Sequence, residues 1–585
     1  MKSISGKNWE ELILSKRLIE KAKVDYNIND IQSKLIISRN FTKEEIFLIK
    51  NQIDLTNPFL RTRDFLKAFN LLKKNIIENN KILIIGDYDA DGCLSTSLMV
   101  KFLNSYNSRV NFYIPDRFKD GYGADLNLIK ILINKHNPKL IIFLDCGSNS
   151  HSVIKYIKSK NIRCLIIDHH NVLIPNSISD VFINPKKNVE YKNYDYLCTT
   201  FLTYMLIDLY IKFEKSNYSL KEDQIYVLLA TVADVMPIRG INKVLALNII
   251  KNFNVNKNFI FKSFFEILNL KKKLEIDDLG YKIAPLINSA GRLENANKIV
   301  EMLTTKSKTN IIKIISKIHN LNNKRKLIEK RFFEKIDLMS LYDQKGVLII
   351  YSPQIHEGII GIIASRIKDY YNRPCIVFTN SGNFLKGSAR STFNFNIGEY
   401  INIALNKKII IKGGGHNLAA GITLLKKDLD KFKKFINRYY EKNYYSTKNI
   451  FFSKISLNSV NKDFFNQINL LGPYGNKNVS PTFLIENVKI IKTKIIKDRF
   501  ISCFVKKNRK LVKAMSFNYL KSKISYAILN SNSNFDIIVK IKDNKWNDKL
   551  SIELEIIDLI KNTNKTWLLH FFEINNPNLV PSSIG

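Results

Sequence analysis

The chain has 585 residues, of which 45% are hydrophobic and 25% are charged, proportions that are ordinary for globular proteins and wrong for a disordered one. It carries a formal net charge of +40, which favours a polyanionic partner such as nucleic acid unless AT-rich coding has raised the lysine content throughout. No apolar run approaches the ~18 residues of a membrane span, and the N-terminus has no signal-peptide pattern. The six cysteines form no CxxC pair. This distribution of cysteines favours a cytoplasmic protein over a disulfide scaffold or a zinc ribbon.

The first half of the chain has the pattern of an α/β domain. Residues 1–50 are polar and mixed, and we expect an N-terminal extension of helices and turns. Over residues 51–300, short continuous apolar runs alternate with helical stretches, which predicts a doubly wound domain with a parallel sheet buried on both faces. The strands are predicted at Lys81–Gly86, Lys139–Leu144 and Arg163–Ile167, and the helices at Cys93–Asn104, Asp125–His136 and His151–Ser159.

The middle of the chain is predicted to be helical and then to form a second α/β domain. Residues 196–335 are mostly helical in pattern, and the charged stretch Lys306–Lys335 predicts a long helix that connects the two domains within residues 301–340. Strands resume in residues 341–443, which predicts the second α/β domain. These strands are expected at Gly346–Tyr351 and Pro374–Phe378.

The last part of the chain changes to short alternating runs, which predict an OB-like β-barrel over residues 444–562. The predicted strands are Phe483–Ile491, Phe500–Val505, Phe535–Ile541 and Leu550–Ile557. Residues 563–585 form a polar tail with aromatic side chains, and its pattern indicates no role.

Acidic and histidine side chains follow the first three predicted strands where each strand ends. They are Asp87, Asp89 and Asp91 after the first strand, Asp145 after the second, and Asp168, His169 and His170 after the third. Right-handed crossovers bring the carboxyl ends of parallel strands to one edge of the sheet, where ligands bind in open α/β folds. The carboxylates would raise one another's pKa unless cations neutralised them. Oxygen ligands with imidazoles suit Mn²⁺ or Mg²⁺, and two ions roughly 3.5–4 Å apart can hydrolyse phosphoesters.

Each of these pieces alone has an ordinary explanation. The acidic run at residues 87–92 could be a calcium loop or a solvated turn, Asp145 could be a helix cap, and the Asp-His-His sequence could be a surface turn. A fourth acid, Asp234, is the only one in the apolar stretch at residues 230–234, and buried carboxylates are seldom left unpaired. The occurrence of acids at three successive strand ends favours a metal site over these alternatives.

The acidic segments, taken in order, resemble the four motifs of the DHH phosphoesterases. Over nearly its whole length the chain is similar to one branch of them, the RecJ family of bacterial single-strand-specific exonucleases. The segments that carry the resemblance are Asp87–Gly92, Asp145, Asp168–His170, Thr231–Asp234, Asn288–Arg292, His356–Arg366, Lys386–Ser391, Gly413–His416 and Pro473–Asn476. Motifs in this fixed order are far more specific than a lone glycine signature.

The resemblance implies a role for each matching residue. Metal ligation is implied for Asp89, Asp91, Asp145, His169 and Asp234, support or ligation for Asp87, and contact with the scissile phosphate for His170. Binding of the terminal and neighbouring phosphates is implied for Arg292, Arg366, Ser388, Arg390, Gly414, Gly415 and His416. The planar fork of arginine and the amides of a glycine-rich stretch suit phosphate. Without the resemblance, each arginine would be interpreted as a surface cation and the glycines as a strained turn.

The resemblance also implies an activity, with partners. The chain is expected to hydrolyse single-stranded DNA from the 5′ end to 5′-mononucleotides, in DNA recombination and repair, with two Mn²⁺ or Mg²⁺ ions. A single-strand-binding protein and a helicase are possible partners, a monomer is expected, and no membrane partner is expected. The sequence has no GxxxxGK[ST] motif, so we expect no ATP use of its own.

Two alternatives remain open. One is a DHH phosphodiesterase acting on short oligoribonucleotides or cyclic dinucleotides, which the additional OB-like region disfavours. The other is a catalytically inactive DHH scaffold that only binds single strands, which the intact set of predicted ligands disfavours. The chain departs from the family pattern at Ile85, Lys243, Leu286 and residues 393–396, which affects the details of strand positioning but removes no predicted metal ligand.

Overall fold

The computed structural model describes residues 1–561 except for 118, 121–124, 173–177, 271–272, 337–340, 342–343, 444–447, 498–499, 519–521, 531 and 547–548. The predicted tail at residues 563–585 lies outside the described residues. The N-terminal segment comprises strand β1 (Asn8–Glu11) and helices α1 (Lys16–Tyr26), α2 (Asp30–Ser38) and α3 (Lys43–Phe47). Helices α2 and α3 each begin with a capping box, in which the N-cap residue and the third helical residue exchange hydrogen bonds.

A five-stranded parallel sheet lies at the centre of the first α/β domain, in the spatial order β3-β2-β4-β5-β6. Its strands are β2 (Lys81–Ile85), β3 (Arg109–Tyr113), β4 (Leu140–Leu144), β5 (Arg163–Ile167) and β6 (Val181–Ile183). Helices on its two faces include α4 (Arg63–Ile77), α5 (Ala90–Ser105), α6 (Leu126–His136), α7 (His151–Ser159) and α8 (Thr199–Glu214). The three predicted strands and three predicted helices are confirmed, and β3 and β6 are additional strands.

A helical region follows the sheet and ends in the predicted long helix. It comprises α9 (Gln224–Ala233), α10 (Gly240–Asn252), α11 (Phe259–Ile267), α12 (Ile276–Asp278), α13 (Ala284–Leu293), α14 (Asn297–Thr304) and α15 (Lys308–Lys335). Four isoleucines in the first half of α15 belong to the core of the first domain, namely Ile311, Ile314, Ile315 and Ile318. Partly buried aromatic side chains in its second half pack on the next domain. The long helix therefore joins the two α/β domains, as predicted.

The second α/β domain contains a mixed sheet in the spatial order β10-β11-β9-β8-β7. Its elements are β7 (Leu348–Tyr351), α16 (Ile360–Tyr371), β8 (Cys375–Ser381), β9 (Phe384–Arg390), α17 (Ile397–Asn406), β10 (Lys412–His416), β11 (Ala419–Leu425) and α18 (Leu429–Asn443). Strands β7 and β8 are parallel, and the remaining neighbours are antiparallel. The glycine-rich stretch that could have been a strained turn is strand β10.

The C-terminal region forms the predicted OB-like barrel. Its elements are β12 (Lys448–Phe451), β13 (Ser453–Lys454), α19 (Lys462–Asn469), β14 (Phe483–Ile496), β15 (Phe500–Lys507), β16 (Lys510–Ser516), α20 (Lys523–Asn530), β17 (Asn534–Trp546) and β18 (Lys549–Lys561). Strands β14, β15, β16, β18 and β17 follow one another around the barrel, and pairing of β14 with β17 closes it.

The N-terminal segment packs on this barrel. Strand β1 pairs in parallel with β12, and Leu35, Ile36 and Phe41 belong to the barrel's apolar core. Trp9 is buried against barrel side chains, and its Nε1 donates to the buried carboxylate of Asp558 at 2.9 Å. Residues 1–50 thus contribute to the apolar core of the barrel, although two domains separate them from it in the chain.

In the described part of the chain, no helix combines the length and the apolar character needed to cross a membrane.

Candidate active site

The carboxyl ends of β2, β4 and β5 bring the predicted acids and imidazoles into one cluster. The Nε2 atom of His169 lies 3.4 Å from Asp145 Oδ1, 3.4 Å from Asp234 Oδ2 and 3.8 Å from Asp91 Oδ2. Three sets of side chains each have ligand atoms within 4.8 Å of one another: Asp87, Asp89 and Asp145; Asp91, His169 and Asp234; and Asp145, His169 and His170. Because the sets share members, they form one continuous group of donors.

Helix α8 fixes the position of two of these carboxylates. The backbone N–H groups of Thr199 and Thr200 donate to Asp91 at 2.7 and 2.8 Å, and a helix N-terminus stabilises negative charge. The Thr199 hydroxyl donates to Asp145 at 3.0 Å. Asp145 itself has a φ of +64°, a left-handed conformation that is uncommon for residues other than glycine. The chain therefore turns sharply after β4 and directs this carboxylate into the cluster.

Asp168 organises the two histidines that follow it. Its Oδ1 accepts the backbone N–H groups of His169 at 2.7 Å and His170 at 3.1 Å, and it lies 2.7 Å from Nδ1 of His170. Burial alone would raise the pKa of Asp168, but the hydrogen bond and charge of His170 outweigh burial and leave the pKa below its ordinary value. Asp168 is therefore an ionised support for the histidines.

Burial and repulsion between like charges shift the pKa values of the other residues in the cluster. Burial, followed by the charge of Asp89, raises the pKa of Asp87 to about 8. Burial and then Asp91 raise the pKa values of Asp145 and Asp234. Burial lowers the pKa of His169 to about 4. Such shifts are typical of sites in which a cation supplies the missing positive charge.

The donor set fits hard divalent cations. Asp87 Oδ1 and His169 Nδ1 are buried and have no hydrogen-bond partner among the described residues, and unpaired buried polar atoms are costly. Carboxylate oxygens with one or two imidazole nitrogens suit Mn²⁺ and Mg²⁺ rather than a thiophilic ion.

A second cluster, of arginines, lies beside the acidic one. Gly291 packs so closely on the loop after β2 that a Cβ atom there would lie 2.1 Å from the Tyr88 carbonyl oxygen, and this contact brings Arg292 next to Tyr88. The guanidinium of Arg117 lies 5.2 Å from the centre of the Tyr88 ring. Burial, and then repulsion by neighbouring arginines that include Arg117 and Arg390, lowers the pKa of Arg292 to about 10.

This arginine cluster, defined as Arg117, Arg292 and Arg390, has no ion-pair partner among the described residues. Three neighbouring guanidinium groups without ion pairs to the described residues suit an anion, and arginine is well suited to phosphate. The sequence-based prediction missed Arg117. It follows β3, a strand without a continuous apolar run, so nothing in the sequence pattern placed Arg117 at the sheet edge.

The other predicted phosphate-binding residues lie in the second α/β domain. Arg390 Nη1 donates to Ser388 Oγ at 3.2 Å. His416 ends the exposed strand β10, which also contains Gly414 and Gly415, and repulsion by Arg390, Lys186 and His170 adds to burial in lowering the His416 pKa. His416 is thus electrostatically coupled to residues of the first domain. Lys186 was also missed, because no motif marks it.

Arg366 has a different environment. It forms an ion pair with Glu329 of the long helix α15, and Arg325 lies 3.6 Å from the same carboxylate. Its charge is therefore partly compensated by a carboxylate that it shares with Arg325, and its predicted contact with phosphate stays a prediction.

The positions that depart from the family pattern are mainly packing positions. Ile85 and Leu286 are fully buried. Of the segment at residues 393–396, Phe395 belongs to the core of the second domain. Lys243 is also fully buried, where its Nζ donates to the Leu471 carbonyl at 3.2 Å and lies 4.3 Å from the centre of the Phe41 ring.

Three segments of the chain match known protein families. Residues 81–233 match the DHH family, N-terminal domain, residues 344–442 match the DHHA1 domain, and residues 453–558 match the RecJ OB domain. Each match falls on one of the three domains of the fold.

Individual relatives are similar over much of the chain. The chain is 30% identical to the single-stranded-DNA-specific exonuclease RecJ of Haemophilus influenzae over 394 residues, or 64% of this chain and 68% of that protein. The exonuclease of the same name from Escherichia coli is 30% identical over 399 residues, with the same coverage of 64% and 68%. The Bacillus subtilis exonuclease RecJ is 26% identical over 559 residues, or 91% of this chain and 68% of that protein.

Among solved structures, the crystal structure of RecJ in complex with Mn²⁺ from Thermus thermophilus has a similar fold. The TM-score is 0.79 at 20% sequence identity, and the match covers 95% of this chain and 80% of that chain.

Proposed function

The chain belongs to the RecJ family of single-stranded-DNA-specific exonucleases, and from this premise we propose that it removes nucleotides from the 5′ end of single-stranded DNA in recombination and repair. One observation carries the proposal: a buried cluster of carboxylates and imidazoles adjoins an arginine cluster that forms no ion pair with the described residues. The first cluster suits cations that activate phosphodiesters, and the second suits the phosphates themselves.

Divalent cations are the cofactor. We propose that Asp89, Asp91, Asp145, His169 and Asp234 hold two ions, with Asp87 as a further or supporting ligand. Mn²⁺ or Mg²⁺, when bound, supplies Lewis-acid activation of water and stabilises the charge on the leaving oxygen. The unpaired Asp87 oxygen and the raised carboxylate pKa values support this assignment.

The chain's own residues orient the reacting groups. Thr199 and Thr200 hold the Asp91 carboxylate in place before substrate arrives, so that little reorganisation accompanies the reaction. Asp168 contacts the Nδ1 atom of His170 and thereby fixes the orientation of the His170 ring. This fixed orientation supports the proposed contact of His170 with the scissile phosphate.

The phosphates of the DNA strand are held from both α/β domains. Arg292 and Arg117 come from the first domain, and Arg390, Ser388 and His416 come from the second. The mutual repulsion of the arginines is relieved when a phosphate binds among them, because each guanidinium then gains an anionic partner. A 5′-terminal phosphate is the proposed occupant, and it would set the direction of degradation.

The barrel provides a surface for the nucleotides on the 3′ side of the cleavage site. Exposed lysines lie on strands β14 and β15 of the barrel and on the turn between them, at Lys492, Lys494, Lys497 and Lys506. A cationic surface on an OB-type barrel is typical of proteins that follow a single strand. The barrel therefore favours the proposal of a long single strand as substrate over that of a dinucleotide.

We also propose protein partners, an oligomeric state and a location. A single-strand-binding protein and a helicase as partners, a monomeric state and a cytoplasmic location follow from the family resemblance. The six cysteines, which are all buried and unpaired, support a reducing compartment.

The test is a degradation assay with 5′-labelled and 3′-labelled single strands of DNA and RNA, a DNA duplex and a dinucleotide. We expect Mn²⁺- or Mg²⁺-dependent release of mononucleotides from the 5′ end of single-stranded DNA, and none with a chelator or with Asp145→Asn. Preference for the dinucleotide would favour the short-substrate phosphodiesterase. Strand binding without any hydrolysis would favour the inactive scaffold.

A further inference from the structure

The turn that follows Asp234 has an unusual conformation. Asp234 caps the C-terminus of helix α9, and the N–H groups of Val235 and Met236 return to Val232 and Thr231. This pattern is a Schellman motif, in which glycine normally occupies the left-handed position. Here Val235 occupies it with a φ of +56°, although a β-branched side chain strongly disfavours that conformation. The Val235 side chain is 65% exposed, so packing does not hold it there.

A side chain from the segment between α19 and β14 of the barrel region holds this turn from outside. The Asn476 amide Nδ2 donates to the Val235 carbonyl at 2.5 Å, and the Ile238 N–H donates to the Asn476 carbonyl at 2.9 Å. The neighbouring residue, Gly475, lies so close that a Cβ atom there would be 2.4 Å from Ile238 Cγ1. Residues 235–238 and 475–476 therefore form a tight, two-way contact.

The segment that carries Asn476 is itself anchored to other parts of the molecule. Asn478 donates to the carbonyls of Leu471 and Pro473 at 3.0 Å each, and Arg39 of the N-terminal segment donates to Asn478 at 2.8 Å. Lys243 of the first domain donates to the Leu471 carbonyl. Asn476 thus projects from a fixed support.

We propose that Asn476 is a positioning residue for divalent-cation binding. Its amide holds Val235 in the left-handed conformation, and this keeps the adjacent Asp234 carboxylate 3.4 Å from His169 Nε2 within the donor cluster. The barrel module thereby sets the position of a metal ligand in the first domain. This inference rests on the proposed role of Asp234 as a metal ligand.

Calorimetric titration of the full chain with Mn²⁺, without DNA, tests the proposal. Partners that orient metal ligands typically contribute about 10- to 100-fold to affinity, so we expect Asn476→Ala to weaken Mn²⁺ binding by that factor at the Asp234 site. The matched control is Asn449→Ala, which removes an exposed amide that donates to the Asn8 carbonyl and should leave Mn²⁺ binding unchanged. If Asn476→Ala does not fold, Asn476→Ser serves instead. The shorter serine side chain keeps a polar group but cannot reach the Val235 carbonyl, so it also removes the hydrogen bond.

A second variant tests whether the effect passes through the turn. Glycine adopts the left-handed conformation without support, so Val235→Gly combined with Asn476→Ala should recover most of the Mn²⁺ affinity. Absence of recovery would overturn the proposed route through Val235, and wild-type affinity of Asn476→Ala would overturn the role of Asn476. Asp234→Ala tests the premise that Asp234 is a metal ligand. If this variant binds Mn²⁺ as tightly as the wild type, that premise is wrong, whatever the effect of Asn476→Ala.

Discussion

The arginine cluster predicts how DNA binding responds to salt. Arg390 is half-buried beside Arg117 and Arg292 and forms no ion pair with the described residues. Each phosphate that a cation neutralises on a single strand contributes about 0.7 to the slope of log affinity against log salt. If the three arginines neutralise the terminal phosphate and its two nearest neighbours, this cluster alone gives a slope of about −2, and Arg390→Gln should reduce its magnitude by about 0.7.

The same substitution should also weaken binding at constant salt. A hydrogen bond to a charged group is worth about 1.5–3 kcal/mol, so Arg390→Gln should lower affinity roughly 10- to 150-fold at low salt. Between 50 and 200 mM salt the wild type should then lose about 2.6-fold more affinity than the variant.

Fluorescence anisotropy of a 3′-labelled single strand, in chelator and over a series of KCl concentrations, measures both quantities. Arg163→Gln is the matched control, because Arg163 is exposed, pairs with Asp180 and begins β5 at the opposite edge of the sheet. An unchanged salt slope for Arg390→Gln, or an equal loss for Arg163→Gln, would refute the reasoning.

Three further predictions follow from buried groups. Asp145→Asn should weaken Mn²⁺ binding in calorimetry by more than about tenfold, because Asp145 belongs to two of the donor sets; unchanged affinity would contradict its assignment. Burial lowers the pKa of Lys243 from 10.5 to about 8, so the folded protein binds fewer protons than the unfolded chain between these values, and its stability rises with pH there. The free energy of unfolding of Lys243→Met should therefore exceed that of the wild type by up to about 3 kcal/mol at pH 7. This difference should shrink as the pH rises from 8 to 10.5. Urea unfolding in which the difference does not change with pH would contradict this explanation. Trp9→Ala should destabilise the barrel by about 3–5 kcal/mol in thermal unfolding followed by circular dichroism, whereas a loss below about 1 kcal/mol would show that the N-terminal segment contributes little.

The sequence predicted those parts of the fold and site that have a local signal. Strands β2, β4 and β5 are continuous apolar runs because the sheet is covered on both faces. Since the carboxyl ends of parallel strands share one edge of the sheet, the sequence alone places the acids after these strands close together.

The parts that were not predicted lack such a signal. Strand β3 is an edge strand that alternates polar and apolar residues, and strand β10 is rich in glycine. The packing of Trp9 against Asp558 joins residues 549 positions apart, and no local pattern encodes such a contact. The compensation of Arg366 by Glu329 is likewise visible only when α15 and α16 are placed side by side.

The packing of residues 1–50 on the barrel has a consequence for biosynthesis. This segment leaves the ribosome before both α/β domains, yet its apolar partners at β12 and in the barrel are made after them. At about 5–20 residues per second, Leu35, Ile36 and Phe41 would wait roughly half a minute or more for the barrel. Both α/β domains can fold during that interval, whereas the barrel cannot be completed until its strand β18 has been translated. A chain that stops early would therefore expose an apolar surface, which gives chaperones and proteases a means of recognising it.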